Sequence, residues 1–236
     1  MLEHHSNYVK MVAMATKTQR NERRSDALSK ERIVEAAIEI LDADGESALT
    51  FRALTARLAT GSGAIYHHVA NKNELLVAAT DDVIARAVTD VAEETDPREA
   101  IRGIASGVFD AIDAHPWVGT QLSREPWQSA IMQIFEGIGQ QLQTLGIPER
   151  AQFNSASALV SYVLGLAAQY SAGARLLARE TDRSAFLATV TERWMQGDPA
   201  NHPFLQQVAT QLPEHDDREQ FLAGIDLFLA GVTTAG

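Results

Sequence analysis

Thr50-Phe51-Arg52-Ala53-Leu54-Thr55-Ala56-Arg57-Leu58-Ala59-Thr60-Gly61-Ser62-Gly63-Ala64-Ile65-Tyr66-His67-His68-Val69 reads as a helix, a tight turn and a second helix. Phe51, Leu54, Leu58, Ile65 and Val69 fall at helical spacing and supply one inward face. The outward face of the second helix is small at its start, with Ser62, Gly63 and Ala64, and polar or aromatic after it, with Tyr66 and His67. A helix whose N-terminus enters a DNA major groove needs that shape. Bulk would hold it away from the base edges, while hydroxyl and imidazole groups reach bases or phosphates.

Outward from this stretch, helix starts are legible. Ser29 caps a first helix, with Leu28 and Ile33 as a hydrophobic staple, and Thr50 repeats the device with Leu49 and Leu54. Asn71 and Glu74 form a capping pair, and Asp96-Pro97-Arg98-Glu99 joins a cap to Pro at the first helical position. Three short helices are expected over 30–41, 50–58 and 62–69, then a longer one over 73–94. Ile101, Ile104, Val108 and Ile112 stripe the next helix, which ends before His115-Pro116. Ile131, Ile134, Ile138, Leu142 and Leu145 stripe another, closed by Gly146 with Ile147 placed to touch Leu142. Residues 148–179 are long enough for roughly 45 Å of helix. The apolar set of that segment, and of 218–232, is too broad for one face, so both are buried on several sides. Residues 196–217 read as a loop with a short helix at 204–211. The fold class is all-α: a three-helix helix-turn-helix domain over 28–76 and a larger helical domain over 77–236, preceded by a flexible arm, 1–27.

Composition narrows the function. The chain has 236 residues, 45% hydrophobic and 22% charged, an ordinary globular balance. It has no apolar run near the eighteen residues that a membrane span needs. The start of the chain has no apolar core long enough for a signal peptide, Met11 or Met14 serving equally well as the natural start. With no cysteine, it has neither a disulfide framework nor a thiolate metal site, and a cytoplasmic location is expected. Residues 1–75 hold ten Lys or Arg and ten Asp or Glu, while 76–236 hold ten Arg and twenty-one acids. The whole deficit of −11 lies in the second part. Basic residues concentrate at 10–32, Arg20, Arg23 and Arg24 among them, and read either as a solvated tail or as an arm for phosphates.

Signs of an enzyme are missing: there is no H-E-x-x-H, G-x-S-x-G or P-loop, and Gly61-x-Gly63 lacks the third glycine and the preceding strand of a dinucleotide fingerprint. His115, His202 and His215 lie in separate segments without metal-ligand spacing, so no metal and no cofactor is expected.

Residues 28–76, and above all Ile65-Tyr66-His67-His68-Val69-Ala70-Asn71-Lys72-Asn73-Glu74-Leu75-Leu76, resemble the DNA-binding domain of the tetracycline-repressor (TetR) family and its L-Y-x-H-V/F-x-x-K-x-x-L signature. Ala114-His115-Pro116-Trp117, Tyr162 with Gly165, and the closing 224–231 resemble the tetracycline-repressor type of C-terminal domain. The sequence departs from the family at Thr55, usually Ala, and at Ala59, usually the glycine of the turn; Gly61, two residues on, is expected to relieve it.

The resemblance implies roles. Tyr66 and Lys72 would hold phosphates, Thr50 and Arg52 phosphate and a base edge, and Ser62, Gly63, Ala64 and His67 would face bases. His68 is read as structural. It also implies a homodimer through 148–179 and 218–232, an operator in double-stranded DNA, and a small-molecule effector in the C-terminal domain. Candidate lining residues are Phe109, Trp117, Trp127, Met132, Phe135, Tyr162, Gln169 and Tyr170, a set suggesting a mostly apolar ligand. Gly103, Gly107, Gly137 and Gly139 sit inside helical stripes, marking either close helix packing or room for that ligand. The expected function is a one-component regulator, a repressor released by its effector. The rivals are an activator and an architectural DNA-binding dimer without an effector.

Overall fold

The computed structural model describes residues 28–89, 96–125, 127–177, 183–198, 200–214 and 216–234, apart from the side chains at 167, 168, 170–172, 174–177, 183, 233 and 234. The described residues form helices α1 (Lys30–Asp44), α2 (Phe51–Leu58), α3 (Ser62–Tyr66), α4 (Lys72–Thr89), α5 (Pro97–Ala114), α6 (Pro116–Arg124), α7 (Ser129–Thr144), α8 (Glu149–Leu177), α9 (Arg183–Met195) and α10 (Pro203–Val208). A 3-10 turn at Ala209–Glu214 leads into α11 (Asp217–Thr234). No strand occurs among them. The arm bases Arg20, Arg23 and Arg24 lie outside the described residues.

The expected caps form. Ser29 accepts from Arg32 N–H at 3.3 Å, Thr50 from Ala53 N–H at 3.1 Å, and Asp96 from Arg98 N–H at 2.9 Å. Asn71 accepts from Glu74 N–H at 2.9 Å, while Glu74 reaches back to Ala70 N–H at 2.8 Å. That last bond holds the Glu74 carboxyl below its ordinary pKa. At the end of α7, Gly146 takes φ +74°, with Ile147 N–H bonding Leu142 C=O at 3.1 Å and Gly146 N–H bonding Gln143 C=O at 2.9 Å. This is the double closure that the Gly146-Ile147 pair implied.

Elsewhere the boundaries move. α3 stops at Tyr66, because His68 N–H and Val69 N–H both turn back to Ile65 C=O and tighten the last turn. The segment after His115 carries an unexpected helix, α6, with Pro116 in its first turn, where a missing N–H costs nothing. α9 was likewise not apparent from the apolar spacing.

Two apolar clusters organise these helices. One, in the N-terminal head, gathers Ile33, Ala37, Ile40, Leu54, Ile65, Val69, Leu75, Leu76 and Ala79. The other, in the body, gathers Val83, Ile84, Ile101, Ile104, Val108, Ile134, Ile138, Leu159, Phe221 and Ile225 among others. They meet within α4, between Ala79 and Val83, rather than in a linker. Two ion pairs, Arg218 to Asp110 at 3.0 Å and Arg102 to Asp226, fasten α11 along α5.

Interior glycines at two of the four positions mark close packing. A Cβ at Gly107 would lie 2.5 Å from Ala87 C=O on α4, and one at Gly137 would lie 3.2 Å from Ile104 Cδ1. Gly139 has open space beside it. Gly139→Ala should therefore raise stability by about 1 kcal/mol, the ordinary helix-interior gain. Gly107→Ala should lower it despite the same propensity gain, which thermal melts of the two variants will show as Tm shifts of opposite sign.

Candidate nucleic-acid interface and the seam behind it

In the head, Leu54 and Ile65 are fully buried and Val69 nearly so, locking α2 and α3 to α1. Thr50, Arg52, Ser62, Gly63, Ala64, Tyr66 and His67 are all exposed, on residues flanking or interleaved with those buried anchors. A Cβ at Gly63 would meet nothing within 4 Å. The fold does not require glycine there, so its small size matters only to something that approaches α3 from outside. Tyr66 stacks on Phe51, with ring centroids 4.3 Å apart and planes 9° apart. The stack fixes the ring while leaving the residue 54% exposed. Arg52 has no ion-pair partner among the described residues, whereas Lys30 pairs with Glu74 and Arg57 with Glu39.

Lys72 is half-buried and donates to Glu46 C=O at 2.6 Å, which anchors the start of α4 to the loop after α1. The turn between α2 and α3 resolves differently from the expectation. Ala59 itself takes the left-handed conformation, φ 49° and ψ 43°, with Thr60 N–H closing on Thr55 C=O at 3.2 Å. Gly61 is ordinary extended backbone at φ −84° and relieves nothing.

Behind the head lies a polar seam that the sequence did not reveal. Asp42 Oδ1 at the end of α1 accepts from Trp117 Nε1–H at 2.7 Å and from His115 Nδ1 at 2.8 Å. A carboxylate only accepts, so the His115 proton sits on Nδ1. Arg124 at the end of α6 pairs with Glu46 at 2.7 Å, and Glu46 C=O is the group that Lys72 holds. Asp81 on α4 accepts from Ala130 N–H at 2.7 Å, capping α7; burial pushes its carboxyl above the ordinary pKa. Asp42, Glu46 and Arg124 are separated by more than 70 residues of chain from their partners across the seam, and no local pattern announces such pairs.

Of the eight candidate lining residues, the seven with described side chains are not gathered into one chamber. Phe109 and Tyr162 meet through Phe221, at centroid distances of 5.2 and 5.8 Å, and Tyr162 donates to Phe221 C=O at 3.1 Å. Phe135 lies 6.0 Å from Phe153, itself 70% exposed. Trp117 belongs to the seam, in contact with both apolar clusters. Trp127 is 89% exposed in the turn before α7, and Met132 is 60% exposed because the inward stripe of α7 is Ala130, Ile134, Ile138 and Leu142. Gln169 is exposed, and the Tyr170 side chain lies outside the described residues. No cluster of potential metal ligands occurs among the described residues, and none of their helices is long and apolar enough to cross a membrane.

The architecture, a helix-turn-helix head with an exposed small-faced helix joined to a helical body, defines a DNA-binding regulator. Comparison with known proteins agrees. Residues 33–79 match the family of bacterial regulatory proteins, tetR family, and residues 92–235 match the tetracyclin repressor-like, C-terminal domain. The chain therefore belongs to the TetR family of transcriptional regulators. It is 26% identical to an HTH-type transcriptional regulator of Saccharopolyspora erythraea, over 92% of this chain and 90% of that one. It is 29% identical to the HTH-type transcriptional repressor DrrR1 of Streptomyces coeruleorubidus over 77% of its own length, spanning 64% of that longer protein. Among solved structures, the transcriptional regulator SCO7222, a TetR from Streptomyces coelicolor, is 50% identical with a TM-score of 0.79, over 88% of this chain and 99% of that one. ActR of Streptomyces coelicolor, solved in complex with actinorhodin, shares the fold at 23% identity and a TM-score of 0.71, over 89% of this chain and 97% of that one.

Because Ala59 holds a left-handed conformation that costs an L-residue about 1 kcal/mol or more, Ala59→Gly should stabilise the protein by about that amount. Chemical denaturation should show a higher midpoint with an unchanged slope.

Proposed function

We propose that this protein is a cytoplasmic, homodimeric repressor that binds a palindromic operator and is released from it by a small molecule held in the body. The observation that carries the DNA reading is the face built by α3 and the starts of α2 and α4. There Ser62, Gly63, Ala64 and His67 meet base edges, while Thr50, Arg52, Tyr66 and Lys72 hold phosphates. The strongly acidic body, carrying the whole net charge of −11, disfavours DNA contact elsewhere.

Dimer formation uses the outer faces of α8 and α11. Phe153 and Leu227 are 70% and 76% exposed there, beside an apolar groove of about 570 Å³ lined by Ala158, Tyr162, Gly224, Phe228 and Gly231. Gly224 makes room for the Tyr162 hydroxyl, which a Cβ there would displace. A two-fold axis through this face buries the same patch from both copies and presents the two α3 helices about one DNA turn, roughly 34–36 Å, apart.

The seam supplies the switch. Lys72, Glu46 and Arg124 form a continuous chain from a phosphate contact to the end of α6, and Asp42 ties α1 to the start of α6. A ligand that binds better when α6 is displaced must loosen both ties, since only differential affinity shifts the equilibrium. The name of the repressor DrrR1 and the actinorhodin complex of ActR are consistent with such a repressor.

Selection of bound sequences from a random DNA pool, followed by competition at near-physiological salt, tests the reading. A palindrome with half-sites about one turn apart is expected, and its release serves as the screen for the effector; sequence-blind binding would instead favour an architectural role. On that operator, Tyr66→Phe, which keeps the stack on Phe51, and Lys72→Met should each weaken binding. Lys72→Met, which removes a charge, should also flatten the salt dependence by about 0.9 log unit per log unit of salt, whereas Tyr66→Phe removes only a neutral hydrogen bond and should leave the slope unchanged. Unchanged affinity in both and an unchanged slope in Lys72→Met, with unchanged melting temperature, would remove the phosphate assignment.

A further inference from the structure

Two histidines stand side by side at the end of α3. His67 is exposed and closes the last helical turn, its N–H on Gly63 C=O at 3.2 Å; His68 is half-buried, its N–H on Ile65 C=O at 2.9 Å. Their rings meet edge to face, with centroids 5.5 Å apart and planes at 82°. The His67 ring has no hydrogen-bond or ion-pair partner among the described residues. Glu31, in the first turn of α1, interacts with His68. Bonds to its own backbone N–H and to Ser29, and after them the His68 charge, hold the Glu31 carboxyl below the ordinary range. Of the neighbouring elements, α1 also carries Lys30, Arg32, Glu35 and Glu39, α2 carries Arg52 and Arg57, and α4 carries Lys72 and Glu74. Lys30 is paired with Glu74, Arg57 with Glu39, and Lys72 is bonded to Glu46 C=O.

Imidazole is the side chain whose charge changes between pH 5 and 8. Two imidazolium charges a ring apart oppose each other. Glu31 stands on the His68 side of the pair, so the charge on His67 is the one that depends on an outside anion. Duplex DNA supplies that anion, with about one negative charge per 1.7 Å of its axis. Protonation also turns both ring nitrogens into donors, which suits a phosphate oxygen or the N7 and O6 acceptors of guanine.

Resting on the DNA reading above, we propose that His67 takes up a proton from solvent when α3 enters the groove, so that operator binding tightens as the pH falls. His68 sets the pH at which this happens, by opposing the second charge. The head is then a reader of acidity as well as of sequence, independently of any effector in the body.

The test uses the full-length protein and the operator recovered by selection. Fluorescence anisotropy between pH 6 and 8 at fixed salt gives the affinity, and calorimetry in phosphate and in Tris at pH 7 counts the protons taken up from the difference in buffer ionisation heats. The wild type should bind about fivefold tighter at pH 6 than at pH 8 and take up a fraction of a proton. His67→Gln, which keeps a donor without the change of charge, should lose both effects at an unchanged Tm. His67→Lys, charged throughout, should bind as tightly at pH 8 as at pH 6. His68→Gln should keep the dependence and move it to higher pH, the opposing charge being gone. Replacing the half-site guanines one at a time by 7-deazaguanine locates the acceptor: a replacement that abolishes the pH dependence puts it on a base, and retention through every replacement puts it on a phosphate. A His67→Gln variant with the wild-type pH dependence would overturn the proposal, as would a His68→Gln variant that loses the dependence while His67→Gln keeps it. A wild type that binds its operator equally at pH 6 and pH 8 overturns the proton linkage and leaves the DNA reading standing, whereas one that binds no DNA at either pH overturns both.

Discussion

Eighteen residues of α4, about 27 Å of unbroken helix, bury one end in the head and the other in the body. Leu75, Leu76 and Ala79 close the first core, and Val83 and Ile84 open the second. A helix hydrogen-bonded throughout transmits rotation and translation with little loss, whereas a loop would absorb them. The start of α4 carries Lys72 and follows directly on the α2–α3 unit, so the position of α3 is tied to what packs around Val83 and Ile84. Gly107 is shaped by the same constraint: α5 approaches α4 so closely at Ala87 that only a residue without a side chain fits.

Cores and seam are built from different materials. Within the head and within the body, burial of aliphatic side chains dominates and tolerates no displacement without leaving a void. Much of the contact between them is polar: Asp42 with His115 and Trp117, Glu46 with Arg124, Asp81 with the first turn of α7. Partly exposed contacts of this kind contribute about 1 kcal/mol each and exchange readily with water. Two aliphatic cores are thus joined by interchangeable polar contacts and one shared helix.

Much of this was legible in the sequence because the signals are local. Ser29, Thr50, Asn71 and Asp96 cap helices within four residues of themselves, and Gly146 with Ile147 closes α7 within six, so residue order alone carries them. The head was legible for the same reason, with its anchors Leu54, Ile65 and Val69 at fixed short spacing. α6 was not, because nine residues beginning with proline and containing a buried glutamine give too weak a stripe. The left-handed Ala59 was missed because a nearby glycine offered a cheaper place for the turn, yet Thr55 and Thr60 set the closure one step earlier. The lining set is dispersed for a different reason: large aromatics mark burial in general and do not say which cavity, interface or seam does the burying. Trp117, Trp127 and Tyr162 ended in three different places.

That scatter of tryptophans gives the protein an optical property. Of its three indoles, Trp127 is 89% exposed and Trp194 is 37% exposed, while Trp117 has its ring N–H bound to a carboxylate of the other lobe. The excited indole is quenched and shifted by its electrostatic surroundings, so breaking the Trp117–Asp42 bond should change the emission of Trp117. The protein thus carries its own probe of whether head and body are latched, readable in solution without a label and on the timescale of ligand mixing.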